Sequence, residues 1–488
     1  MKKSTWMKQH RWFGQACAFF ILLFVVSGIV LNHRSAVAGW EVSRRWLPER
    51  YAYRDWNGGL LRGTLRHDGR VVVYGANGLW LTDSVAGNWA DFNRGLPQAA
   101  DYRQIRQVVA ARGERLYAVT PFALYVYDEG RSRWREVPLS LPEGERLTDL
   151  SARGDTLVAV GRSHLYVSDA SGQAFTPVTL PAAADYDGRV SLFRTVWLLH
   201  SGDLFGTVGR VAVDVVGLVL AVLCVTGLLY WLLPVYIRRR RSNGKHAGHT
   251  PQLLRSSLRW HDKVGRVTIV FTLLLALTGW MLRPPLLIPL ALTHTKPVPG
   301  SSLDSPNAWN DRLRMLRYDH KAGDWLLSTS EGFYSMAGLR NAVPQKLPHT
   351  PPVSVMGLNV LQPDRAGRWL CGSFSGMYVW DRMAGRSFDY FTHEPAPEKA
   401  GPPLGQFAVS GYSDDLASGP FVVEYYEGTA ALPQPDFLRY LPMSLWNVAL
   451  ELHSGRLYIG AVATYVFIFL AGLAVIWCLW SGWKVRRR

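Results

Sequence analysis

Four long, mostly uncharged apolar runs punctuate the chain, at residues 16–31, 211–233, 267–290 and 457–480. A helix needs about 20 such residues to cross roughly 30 Å of hydrocarbon. The last three runs meet that length, and the first does so once Trp12 and Phe13 join it. Between the runs the pattern changes. Residues 34–199 and 291–452 alternate apolar and polar positions and are broken by Gly, Asp, Asn and Pro, the period-2 signature of strands. The fold predicted is a membrane α-helical bundle of four transmembrane helices carrying all-β loops. Its segments are a first span at 1–33, a β loop at 34–199, a second span at 200–236, a short loop at 237–260, a third span at 261–290, a second β loop at 291–452, and a fourth span with its tail at 453–488.

The β loops contain a repeat: Gly78-Leu-Trp-Leu-Thr-Asp83, Ala123-Leu-Tyr-Val-Tyr-Asp128 and His164-Leu-Tyr-Val-Ser-Asp169. It resumes at Gly332-Phe-Tyr-Ser335 and Gly376-Met-Tyr-Val-Trp-Asp381. Intervals of 45, 41 and 44 residues suit the four-stranded blades of a β-propeller, about three blades to a loop. Three blades do not close a ring, so the economical expectation is one propeller built from both loops and roofing the bundle. Two separate β domains are the alternative. His164 stands where the other copies have Gly or Ala and reads as structural.

Charge fixes the orientation. Residues 1–11, the short loop through Lys263 and the C-terminal tail hold 16 basic residues and one acid, Asp262. The rest of the chain is nearly neutral. The net charge of +17 is therefore a topology signal, and nucleic acid is not an expected partner. By the positive-inside rule both termini and the short loop are cytoplasmic, the β loops are periplasmic, and the lipid bilayer of a bacterial inner membrane is the immediate partner. Lys2, Lys3, the first apolar run and Ala36-Val37-Ala38 imitate a signal peptide, but the run is long and its motif recurs in the third span, so it reads as retained. Cys17, Cys224 and Cys478 lie in spans, leaving Cys371 alone outside; no intramolecular disulfide is expected and no CxxC motif occurs.

Histidine is scarce beside membrane spans because an imidazole loses hydration there, so four at matching places need a purpose. His10-Arg-Trp-Phe-Gly14 opens the first run and His261-Asp-Lys-Val-Gly265 the third; His200-Ser-Gly202 and His453-Ser-Gly455 precede the second and fourth. His10, Gly14 and Gly28 have the same spacing as His261, Gly265 and Gly279, with Ser27 and Thr278 before the late glycines. His200 to Gly227 and His453 to Gly482 match less strictly, at 27 and 29 residues. The small residues serve close helix packing or leave room for a flat macrocycle. Topology puts His10 and His261 at the cytoplasmic face and His200 and His453 at the outer face, as two pairs of axial ligands for two haems. The bland alternative for each histidine is an interfacial, hydrogen-bonded side chain.

His33 also reaches the outer side, and Pro284 occupies its place in the third span. It is expected to act on the substrate side or as a substitute ligand. Arg210 and Asp214 are spaced as a helical ion pair. Trp12, Trp231, Trp260, Trp280, Trp480 and Trp483 read as an interfacial belt. The loops show no catalytic triad, phosphate loop, dinucleotide fingerprint or zinc motif.

Together His10-Arg-Trp-Phe-Gly14, Ser27-Gly28, Leu199-His-Ser-Gly202, the stretch Thr226-Gly-Leu-Leu-Tyr-Trp231, His261 with Gly265, and Leu452-His-Ser-Gly455 resemble the PepSY-associated transmembrane proteins. That family includes iron-regulated inner-membrane proteins and ferric-siderophore reductases. The resemblance covers about a quarter of the chain and implies haem-bearing helices that pass electrons to periplasmic ferric siderophores. The loops depart from it, having no clear PepSY domain. The expected function is a di-haem b protein, a haem-dependent ferric reductase. It would take electrons from a cytoplasmic or quinol donor and reduce a ferric siderophore or another periplasmic acceptor. A non-enzymatic sensor or assembly factor with a protein-binding propeller is the alternative.

Overall fold

Eight helices and a family of small antiparallel sheets make up the computed structural model, which describes residues 2–169, 172–354, 356–398, 407–459 and 461–485. Arg486, Arg487 and Arg488 of the basic tail lie outside the described residues. The helices are α1 (Lys3–Asn32), α2 (Arg34–Val37), α3 (Leu192–Ser201), α4 (Gly206–Ser242), α5 (Thr250–Met281), α6 (Leu287–Ala291), α7 (Leu445–His453) and α8 (Ala461–Lys484). Two compact units result. One is Met1–Val37, Gly188–Asp304 and Leu445–Arg488; the other is Ala38–Asp187 and Ser305–Ser444.

In the first unit α1, α4, α5 and α8 are each long and apolar enough to cross a membrane. Their outward faces carry Phe19, Val208, Val267, Val270 and Leu470, all exposed, as lipid requires in place of water. Polar side chains within the spans return their hydroxyls to the helix itself: Ser27 Oγ donates to the carbonyls of Leu23 and Phe24, Thr226 to Val222 and Leu223, and Thr278 to Leu274 and Leu275.

Two sequence expectations change. The third span ends at Met281, short of residue 290, because Pro284 and Pro285 lack N–H donors and disfavour helix before them; the apolar remainder forms α6. The β loops are shorter than 34–199 and 291–452, since residues 192–201 and 445–453 form α3 and α7 and pack with the spans. Both are amphipathic one-sided helices, a period that the short apolar stretches before His200 and His453 already carried. Trp280 joins the third and fourth spans: its indole N–H donates to the Phe469 carbonyl and its ring packs on Gly472.

Among the described residues the second unit holds five four-stranded sheets, opening at Gly63–His67, Gln107–Ala111, Leu147–Arg153, Leu313–Asp319 and Leu358–Pro363, a sixth, two-stranded sheet of Val409–Ser413 with Phe421–Glu424, and a short pairing of Glu41–Val42 with Met443–Ser444. The sequence repeat marks the third strand of each four-stranded sheet. The opening strand of each sheet contacts that of the next, and Val409–Ser413 contacts Gly63–His67 in turn. A buried apolar cluster fills each interval, for example Val158, Val160, Trp309 and Leu327 between the third and fourth sheets and Trp56, Val73, Val423 and Leu438 between the sixth and first. Both halves of the chain therefore share one unit, and the alternative of two separate β domains does not hold.

Ion pairs tie the fourth sheet to its neighbours. Asp149, fully buried, accepts from the Leu316 N–H and from Arg317. Arg382 binds Asp324 through both terminal nitrogens at 2.5 Å and Asp319 at 2.9 Å, while the Trp369 indole donates to the same Asp319 oxygen at 3.0 Å. Cys17, Cys224, Cys371 and Cys478 are all free thiols.

Candidate functional site

The four motif histidines meet in two pairs within the helical unit. His10 on α1 faces His261 on α5 with ring centroids 6.0 Å apart, and His200 at the end of α3 faces His453 at the end of α7 at 6.1 Å. The duplication therefore pairs each histidine with its equivalent in the other half.

Each ring is held by a third helix in the same way. His453 Nδ1 lies 3.0 Å from the Phe24 carbonyl and 3.1 Å from Ser27 Oγ, with its Cε1 against Gly28. His200 sits on Leu275, Thr278 and Gly279, and His261 on Leu223, Thr226 and Gly227. His10 Nδ1 lies 2.9 Å from the Cys478 carbonyl, to which Ser481 Oγ also donates, and its Cε1 faces Gly482. The seat is thus a carbonyl, a hydroxyl three residues later and a glycine after that, repeated four times. At three of the seats a hydroxyl already bonded to its own helix also reaches Nδ1 of the ring, and at each seat the glycine leaves room for it.

This seat sets the tautomer. A carbonyl only accepts, so Nδ1 carries the proton and Nε2 keeps its lone pair. That is how metal-bound histidines are oriented by their surroundings. Two imidazoles sharing one metal, with bonds of about 2 Å, would place their centroids about 6 Å apart, as both pairs do. Among the described residues no three His, Cys, Asp or Glu side chains converge as a metal site. Each pair would supply two imidazole nitrogens to one iron, and the residues present fit a haem.

The PepSY-associated TM region model matches residues 7–485. The chain belongs to the PepSY-associated transmembrane family. The match runs across spans and loops alike, well beyond the quarter of the chain that carried the resemblance. No curated protein matches. Among solved structures, the chain is similar to the extracellular domain of a proposed hybrid two-component system of B. thetaiotaomicron, at 10% identity and a TM-score of 0.36, covering 77% of this chain and 38% of that one. PorZ of the type-IX secretion system of Porphyromonas gingivalis gives 11% identity and a TM-score of 0.23, over 75% of this chain and 44% of that one. The chain spans less than half the length of the structures it matches.

In this family member the other expected residues are placed as follows. His33, at the C-terminal end of α1, is part-exposed; its Nε2 lies 2.7 Å from Asp214 Oδ2, and Asn32 donates to Asp214 Oδ1. It joins neither histidine pair. Asp214 thus holds α1 instead of Arg210, whose guanidinium lies 3.3 Å from Asp203. Gly14 and Gly265 lie at ordinary packing distance from Cys478 and Leu223, as close helix contacts. His164 lies 4.0 Å from Glu145 in the β unit.

Two features escaped the sequence reading. The Cys478 carbonyl anchors the fourth ring, but its partner His10 is 468 residues away, so only the fold reveals it. The β unit also has an open cleft of about 700 Å³ beside the fifth and sixth sheets, lined by Arg365, Phe388, Tyr390, His393, Tyr412 and Asp414 among others. Burial and the neighbouring Asp415 raise the Asp414 carboxyl above the usual carboxylate range. No repeat or motif marked these positions.

Proposed function

We propose that this protein is an inner-membrane di-haem b electron carrier that reduces a periplasmic acceptor, of which ferric iron in a siderophore is the best candidate. The observation that carries the reading is the pair of facing imidazoles, found twice, each with Nδ1 anchored and Nε2 free. His10 with His261, and His200 with His453, would be the axial ligands. A haem at each pair would take up and release one electron at a time.

The two pairs lie at opposite ends of the same spans. His10 and the Gly28 seat of His453 are 18 residues apart on α1, a rise of about 27 Å. Two centres so spaced would divide a membrane crossing that one centre cannot make alone. The basic flanks support putting the His10–His261 pair on the cytoplasmic side, where a cytoplasmic or quinol donor would deliver electrons. Each Fe(III) accepted outside consumes one electron, and Fe(II) binds hard oxygen ligands less tightly, so release follows reduction. We read His33 with Asp214 as the group that supplies protons or guides the acceptor on the outer side.

The cyclic succession of sheet contacts supports reading the β unit as a six-bladed propeller with a short sixth blade. It would present or select the acceptor.

The test is haem content and a reduced-minus-oxidised difference spectrum of the purified chain, followed by Fe(II) formation from a ferric siderophore after prereduction. Two haems per chain and reoxidation by the siderophore are expected. A protein without haem would overturn the reading and leave a sensor or assembly role.

A further inference from the structure

Arg283 follows the end of α5 by two residues and lies one helical turn beyond Gly279, the seat of His200. The residue is half-buried, and its guanidinium is within electrostatic reach of His453, Arg456, Glu451 and Tyr465. Its charge is not neutralised there. Glu451, the acid in this group, is committed to Arg456, whose Nε lies 3.0 and 3.1 Å from its two oxygens. Among the described residues the Arg283 side chain makes no hydrogen bond and no ion pair. Its backbone N–H donates to the Trp280 carbonyl and its own carbonyl accepts from Leu287.

A half-buried guanidinium at the end of a membrane span, without a counter-charge of its own, is unfavourable. Five N–H donors arranged as a fork match a carboxylate in two-point fashion. The internal duplication sharpens the point: the equivalent position after Gly28 is Asn32, which donates to Asp214. The cation is present in one half only, so it is not required by the helix packing that both halves share.

We propose that Arg283 is an anchor for the carboxylate side arms of the macrocycle held between His200 and His453. This rests on the di-haem reading and adds how the outer group is oriented. A haem carries its two propionates on one edge, and Arg283 would fix that edge toward the turn after α5. The positive charge would also favour the reduced form of the outer centre over the oxidised one.

The experiment uses the full-length chain, produced haem-free, placed in nanodiscs and titrated with haem and with haem dimethyl ester, whose side arms carry no charge. The native protein should take two haems, with the outer site favouring haem over the ester by at least tenfold. Arg283→Gln should lose that preference at the outer site alone and lower the outer midpoint potential; Arg283→Lys should keep most of both. The inner site serves as the control for folding. Two bound haems with an unchanged outer preference in Arg283→Gln would overturn the anchor while leaving the di-haem reading intact. Loss of affinity for anionic lipid in place of the ester effect would assign Arg283 to a headgroup phosphate and overturn it too. A native chain that binds neither compound would overturn both.

Discussion

A methyl group on Gly279 would stand 2.7 Å from Cε1 of His200, closer than carbon atoms approach without one of them moving. The same construction on Gly227 meets His261 at 3.5 Å, an ordinary contact. Alanine at these two equivalent positions should therefore act differently. Gly279→Ala should displace the His200 ring and lower haem content at the outer site, while Gly227→Ala leaves the inner site loaded. Haem per chain and the visible spectrum of each variant check this.

The seats should tune the ligands they hold. Thr278→Val removes the hydroxyl beside His200 Nδ1 but leaves the Leu275 carbonyl, so haem should be retained with a shifted outer midpoint potential. His200→Ala should remove the outer haem and spare the inner one; His10→Ala should do the converse. Retention of both haems in both alanine variants would leave the pairs without a ligand role.

How much of this was legible in sequence depends on range. Each span, each histidine and the third strand of each sheet announced itself locally, through runs of apolar residues, a repeated spacing or a recurring Leu-Tyr-Val pattern. The pairing of His10 with the Cys478 carbonyl did not, because the contact joins the first and last helices and a backbone carbonyl carries no sequence signal. The Arg210–Asp214 expectation failed for a related reason. Spacing on one helix predicts a neighbour, but α1 brings His33 and Asn32 to Asp214 from outside. Arg283 carried no pattern at all, since an arginine becomes notable only when the acid near it is committed to another residue.

His33 and Asp214 should matter for rate and little for stability. The histidine is nearly half exposed, and such ion pairs contribute at most about 1 kcal/mol. His33→Ala and Asp214→Asn should keep both haems and the native melting temperature within a few degrees, yet reduce ferric chelates several-fold more slowly. Stopped-flow reoxidation of prereduced protein measures it. Unchanged rates in both variants would confine the pair to tethering α1 to α4.

Acid should loosen the β unit at Arg382. Burial alone would raise the Asp319 carboxyl, but hydrogen bonds from the Ala322 N–H, Trp369 and Arg382, with the Arg382 charge, hold it below its ordinary value of 3.8. A depressed folded value contributes stability at neutral pH that is lost as pH falls through that value. The native unit should accordingly lose stability below about pH 4, and Asp319→Asn should flatten that loss. Arg382→Met, which strands two carboxylates, should cost about 3 kcal/mol at pH 7. Denaturant midpoints across pH 3 to 7 follow both effects.

The central claim is that each histidine pair binds one iron through both rings. Low-temperature electron paramagnetic resonance of the oxidised, purified chain tests it most directly. Two low-spin ferric signals of the bis-imidazole type, one lost in His453→Ala and the other in His261→Ala, are the predicted result. A high-spin or absent signal from the native protein, or two signals that survive both substitutions, would contradict it.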